Sequence, residues 1–119
     1  MTTGFASPAD DFIEGKLSLD KLLVQNKEAT FFVRAEGDAM FDACISHGDL
    51  LVVDRSLSPV SGHIVIAVDD GELIVRRYFE QDGNFILKAD NPAYTDIQFR
   101  DGQELKIWGV VTSLVKQFT

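Results

Sequence analysis

Residues 64–79 read IVIAVDDGELIVRRYF, and this stretch decides the fold. Ile64 to Val68 and Glu72 to Phe79 are rich in β-branched, aliphatic and aromatic side chains, which suit a pleated, half-buried surface. Asp70-Gly71 between two such runs is the sequence of a two-residue hairpin, because the favoured turn needs φ above zero at both positions. The pattern continues on either side. Thr30 to Ala35 (TFFVRA), Leu50 to Asp54 (LLVVD), Asn84 to Ala89 and Glu104 to Phe118 are further apolar runs. They are punctuated by His47-Gly48-Asp49, Ser61-Gly62, Gln81-Asp82-Gly83, Asn91-Pro92 and Asp101-Gly102. Short strands at this spacing predict a mostly-β domain with a helical N-terminal flank.

The flank carries its own signals. Residues 1–6 show no periodicity and read as a mobile arm, leaving 7–119 as a single domain. Ser7-Pro8-Ala9-Asp10 is a helix start, with a hydroxyl cap and Pro at the first helical position. A short helix from Pro8 to Glu14 is expected to stop at Gly15. Ser18 is expected to cap a second helix with Leu19, Leu22 and Leu23 on one face.

The last run is apolar on both faces. Regular alternation puts Ile107, Val111 and Val115 on one side, with Trp108, Val110, Leu114 and Phe118 mainly on the other. A half-exposed strand would alternate with polar residues. The run is therefore either a central strand or one whose second face a partner subunit covers.

Composition narrows the function classes. Hydrophobic residues make up 45% and charged residues 25% of the 119, as in an ordinary globular domain. No apolar run approaches the roughly 18 residues of a membrane-spanning helix, and no signal-peptide pattern is present. One cysteine, Cys44, excludes an internal disulfide framework and suits a reducing compartment such as the cytoplasm. The two histidines and one cysteine have no zinc-site spacing, so neither a metal nor another cofactor is expected. The net charge of −8 argues against gripping a phosphate backbone. A role at nucleic acid would come through a protein partner.

Two segments carry the chemistry. One is Gly37-Asp38-Ala39-Met40, followed by Gly48-Asp49-Leu50-Leu51-Val52-Val53-Asp54. The other is Gly71-Glu72-Leu73-Ile74-Val75-Arg76-Arg77. With Asp90-Asn91-Pro92-Ala93-Tyr94 and Trp108-Gly109-Val110-Val111, they resemble the LexA/UmuD family of self-cleaving peptidases, the UmuD branch most closely. The resemblance runs from Gly4 through the last strand. It implies the β fold of that family's C-terminal domain.

In the family a serine follows the Gly-Asp pair and a lysine begins the basic pair. A serine hydroxyl needs an adjacent base, and a lysine serves only where burial leaves it neutral. The matching residues here are Ala39 and Arg76. Ala39 offers a methyl group where attack would begin, and an arginine stays protonated. Either change alone is expected to abolish the dyad. The backbone N–H groups of Asp38 and Ala39 are the candidates for an oxyanion hole. An unpaired buried charge is costly, so Arg76 is expected to pair with an acidic neighbour, Asp38 being one candidate, or to turn out to solvent.

Three rescue routes are weak. Ser46 and Ser61 fall in turns away from the nucleophile position. Cys44 and His47 could imitate a Cys/His pair, but a lone cysteine is more often a small buried hydrophobe. The family also cuts itself before a Gly-Phe near its N-terminus. Gly4-Phe5 matches that pair, so Thr3 and Gly4 read as a cleavage-site remnant, and the chain is expected to begin about where the processed product begins.

The resemblance thus implies a homodimeric accessory subunit of SOS translesion mutagenesis, not a working enzyme. Its implied partners are a UmuC-like Y-family DNA polymerase and the RecA filament. Two alternatives stand beside it. One is an inactivated, truncated form of a Ser/Lys endopeptidase; the other is a LexA-like repressor's dimerisation domain, disfavoured because this sequence shows no helix-turn-helix, although truncation could have removed one.

Overall fold

The computed structural model describes residues 16, 18–100 and 103–119. The expected arm, the Pro8–Glu14 helix, and Thr3 and Gly4 lie outside them. Leu19–Leu23 forms one short helix, α1, after Ser18. The Ser18 side chain makes no capping hydrogen bond, and Leu19 and Leu22 are exposed. The apolar face read for this helix is therefore not packed into the core.

Seven strands follow: β1 Thr30–Arg34, β2 Leu50–Asp54, β3 Ile64–Asp69, β4 Glu72–Gln81, β5 Asn84–Lys88, β6 Ile97–Phe99 and β7 Ile107–Val115. They form one sheet in the order β1-β2-β7-β3-β4-β5-β6, with every neighbouring pair antiparallel. The β3–β4 hairpin closes at Asp69↔Glu72, and Asp70 and Gly71 both have positive φ, 49° and 79°. Asp82 and Gly83 repeat this between β4 and β5, at 53° and 80°. The mostly-β expectation holds, and six of the strands lie within the apolar runs or extend them by a residue or two. β6 was missed. Its signal, Ile97-Gln98-Phe99, is a bare apolar alternation too short to separate from loop.

Neighbouring residues Val65 and Ile66 are both fully buried, in different clusters. Adjacent strand residues point to opposite faces, so both faces of the sheet are covered. One core gathers Ala35, Met40, Ile45, Leu51, Val53 and Ile66; the other gathers Val65, Ala67, Tyr78, Leu87 and Val110. Burying a side chain such as Leu51 fully contributes about 1.5–3 kcal/mol.

β7 lies between β2 and β3, so the central-strand reading is the observed one. Its face assignment needs correction. Trp108, Val111 and Leu114 pack with the first core, and Ile107 and Val110 with the second. The cause is a pair of bulges, at Val52/Val53 against β2 and at Ile66/Ala67 against β3. Each inserts a residue and resets the alternation. Phe118 lies beyond the strand and is 95% exposed.

Candidate functional site

Ala39 sits in the turn that follows β1. Gly37 begins that turn at φ 77°, in the region that favours glycine, and donates its N–H to His47 Nδ1 at 3.0 Å. Met40 is buried, anchoring the turn into the first core, and its sulfur accepts the Asp90 N–H at 3.4 Å. The Asp38 carbonyl accepts from Asn91 Nδ2 at 2.9 Å and from the Phe41 N–H at 3.1 Å. Asp42 N–H reaches the Asp90 carbonyl at 2.8 Å. The segment 90–94 thus braces the turn, although sequence reading assigned it no site role. His47, Asn91 and Tyr94 all belong to this frame.

Arg76 and Arg77 occupy adjacent positions on β4 and behave oppositely. Arg77 pairs with Asp90 through Nη2 at 2.8 Å and Nε at 3.1 Å, and donates Nη1 to the Gly62 carbonyl at 2.7 Å. Arg76 has no such carboxylate among the described residues. It donates Nη1 to the Val75 carbonyl at 2.8 Å, its Nε is buried without a partner, and its guanidinium stands 5.4 Å from the Tyr94 ring centroid. The expected Arg76–Asp38 pair is not formed. Asp38 is instead taken by the Tyr94 hydroxyl at 2.6 Å, and the aromatic face of Tyr94 offers the guanidinium a cation–π contact. Burial pushes the Arg76 pKa down, against the upward pull of Tyr94 and Asp69. A guanidinium nevertheless stays charged.

Ala39 and Arg76 line the same cleft, of about 410 Å³. Val33, Ala35, Met40, Ile45, Ile66 and Val75 supply apolar lining, with Arg34 and Glu36 as the other charged residues. The N–H groups of Asp38 and Ala39 have no hydrogen-bond partner among the described residues.

The opposite wall is a free strand edge. Tyr78 donates its N–H to the His63 carbonyl and accepts from the Gly62 N–H, so its backbone faces β3. That direction alternates along an antiparallel strand. Arg76, Ile74 and Glu72 therefore face β3, and Leu73, Val75 and Arg77 face away. Arg77 meets Lys88 of β5, but β5 does not reach Leu73 or Val75. Leu73 and Val75 line the cleft, and among the described residues only the Val75 carbonyl is taken, by Arg76 itself.

Ser46, Ser61, Cys44 and His47 all have other engagements or settings. Ser46 Oγ accepts from Lys116 Nζ at 3.3 Å, which places a serine beside a lysine. However, Lys116 is ion-paired to Asp49 at 2.5 Å. The hydrogen bond from Lys116, then that from the Ser46 N–H, hold the Asp49 carboxyl below its ordinary range. A lysine engaged as a cation is no base. Ser61 Oγ is used by the Glu80 backbone. Cys44 is exposed, not a buried hydrophobe, and ends a short 3-10 turn with φ 65°. His47 Nδ1 is committed to Gly37. Among the described residues no group of His, Cys, Asp and Glu is placed to hold a metal ion.

The peptidase S24-like family model matches residues 1–112. The chain belongs to that family. It is 43% identical over 112 residues to Protein SamA of Salmonella typhimurium strain LT2, covering 94% of this chain and 77% of the relative. It is 40% identical over 118 residues to Protein ImpA of Escherichia coli, covering 94% and 76%. It is 37% identical over 114 residues to Protein MucA of Escherichia coli, covering 94% and 77%. The S24-like chain therefore spans about three quarters of the length of these relatives, and the family resemblance read from its motifs holds.

Proposed function

We propose that this S24-like chain is a non-cleaving accessory subunit of SOS translesion mutagenesis. In this reading it forms a homodimer and acts through a UmuC-like Y-family DNA polymerase and the RecA filament, in the cytoplasm and without gripping DNA itself. A single domain over 7–119 carries the function, and residues 1–6, with Thr3 and Gly4 as a cleavage-site remnant, serve as an arm. The observation that carries the reading is the pair Ala39 and Arg76 lining one cleft. Ala39 stands where the resemblance places the nucleophile, and Arg76 where it places the base. A methyl group cannot attack a carbonyl, and a guanidinium cannot take a proton from one that could. The Asp38 and Ala39 N–H groups are the remains of the oxyanion hole in this reading, without chemistry to serve.

The test has two arms. The chain incubated with a peptide spanning a family cleavage site yields no product, whereas A39S/R76K yields product and each single substitution does not. Turnover by the chain as it stands would sink the reading. Co-expression with a Y-family polymerase is expected to give a stable complex, with the chain sedimenting as a dimer. Failure to co-purify overturns the accessory role and leaves the cleft chemistry standing.

A further inference from the structure

We propose that the cleft is a receptor for the free C-terminal carboxylate of an extended peptide, bound and not cut. The proposal rests on the cleft's own geometry and does not depend on the cellular role above.

Both walls present unused backbone groups. On one side is Ala39, whose N–H has no partner among the described residues, with Asp38 and its own unpartnered N–H next to it in the turn. On the other are the outward N–H and C=O of Leu73 and the N–H of Val75, which neither β3 nor β5 engages. A strand edge with alternate groups free pairs with an extended peptide through main-chain hydrogen bonds, and side-chain pockets then add specificity. The free stretch Glu72–Arg76 is about 17 Å long at roughly 3.4 Å per residue. The apolar floor of Val33, Ile45, Ile66 and Val75 suits small apolar side chains, and Leu73 beside it is 50% exposed.

Charge selects the end of that peptide. The charged residues lining the cleft are Arg34, Glu36 and Arg76, a net positive set in a chain of net charge −8. Among the described residues neither arginine has a carboxylate partner; Arg34 donates to the Gly48 carbonyl and Arg76 to that of Val75. Asp38, the nearby carboxylate, is occupied by Tyr94. A guanidinium is shaped to take a carboxylate through paired N–H groups, and such charge-assisted bonds are about twice as strong as neutral ones. N–H donors aimed at an oxyanion hold a terminal carboxylate by the same electrostatics. A lysine that must be neutral to act as a base could not do this; a permanent cation can. The substitution that forbids catalysis therefore equips the cleft for an end-on anion. Binding requires Arg76 to give up the Val75 carbonyl, which the incoming strand then satisfies.

Fluorescence anisotropy with a short labelled peptide of alternating Val and Ala tests this on the full chain. Three forms are compared: free C-terminus, C-terminal amide, and an amidated peptide with an internal Asp. The free acid is expected to bind about tenfold or more tightly than either amide. In R76M the acid and amide should bind alike, and R76Q serves where R76M fails to fold. Amide resonances of Asp38, Ala39, Leu73 and Val75 should move on addition of the acid. Equal binding of acid and amide, no binding of either, a preference that survives R76M, or shifts mapping elsewhere would each overturn the proposal. The internal-Asp peptide binding as well as the free acid would overturn the commitment to a chain end.

Discussion

Tyr94 donates its hydroxyl to Oδ1 of Asp38 at 2.6 Å, joining the loop after β5 to the turn that carries Ala39. The same ring lies 5.4 Å from the Arg76 guanidinium. One side chain thus connects both walls of the cleft, and it takes the carboxylate that Arg76 was expected to hold.

This contact is visible in a phenol titration. The hydrogen bond to Asp38, with burial and the Asp38 charge, raises the Tyr94 pKa above 10.0, although Arg76 pulls it down. Burial, followed by Glu80, raises Tyr78 likewise. Both tyrosines are expected to ionise late when phenolate absorbance is followed. D38N should advance one transition and leave the other. The associated stability is fully present below the ordinary tyrosine pKa and is lost as pH rises through the folded-state value. Two unshifted transitions would refute the contact.

Arg76 and Arg77 should separate in urea unfolding. R77M breaks charge-assisted hydrogen bonds to Asp90 and Gly62 and is expected to cost about 1.5–3 kcal/mol. R76M removes a buried Nε that has no partner together with one hydrogen bond to Val75 and the contact with Tyr94, so the terms offset and stability is expected to change by less than about 1 kcal/mol. Equal losses at the two positions would mean that Arg76 is better satisfied than its contacts indicate.

The strands were legible because the chain alternates apolar runs with Asp-Gly and Asn-Pro punctuation, and local turn chemistry fixes the hairpins at Asp70-Gly71 and Asp82-Gly83. The phase of β7 was not legible. Its bulges arise from pairing with two neighbours at once, which no local pattern records. At the site, the motifs brought Ala39 and Arg76 to one cleft. They could not show that Tyr94, distant in sequence, would reach Asp38 before Arg76 did. The free edge at Leu73 and Val75 was equally hidden, since it follows from where β5 stops.

Acid should unfold the domain through two carboxylates. Asp54 is buried and accepts from Asn26 Nδ2 at 2.9 Å, from the Ser56 hydroxyl at 2.6 Å and from the Ser56 N–H at 2.8 Å. The Ser56 hydroxyl, then Asn26, hold its pKa below 3.8, as Lys116 and the Ser46 N–H do for Asp49. A depressed carboxyl stabilises the fold fully above its unfolded pKa, and that contribution fades as pH falls through the folded value. The urea midpoint should therefore drop as pH falls below the ordinary aspartate range, and D54N should flatten that drop. An unchanged acid limb in D54N would exclude Asp54 as a source.

Gly109 should tolerate no side chain while Val53 is present. A Cβ at Gly109 would meet Val53 Cγ1 at 2.5 Å, inside any real contact distance. Val53 cannot retreat easily, because it is fully buried and β-branched, with restricted χ1. Val53 flanks the bulge between β7 and β2 and Gly109 the one between β7 and β3, so backbone adjustment would disturb both ladders. G109A is therefore expected to cost about 1–3 kcal/mol. V53A removes the methyl that clashes, at the cost of a small cavity. In the V53A background the penalty of G109A should largely vanish, giving a coupling of about 1 kcal/mol or more in a double-mutant cycle. Simple additivity would show that Gly109 is required for its backbone and not for the space it leaves to Val53.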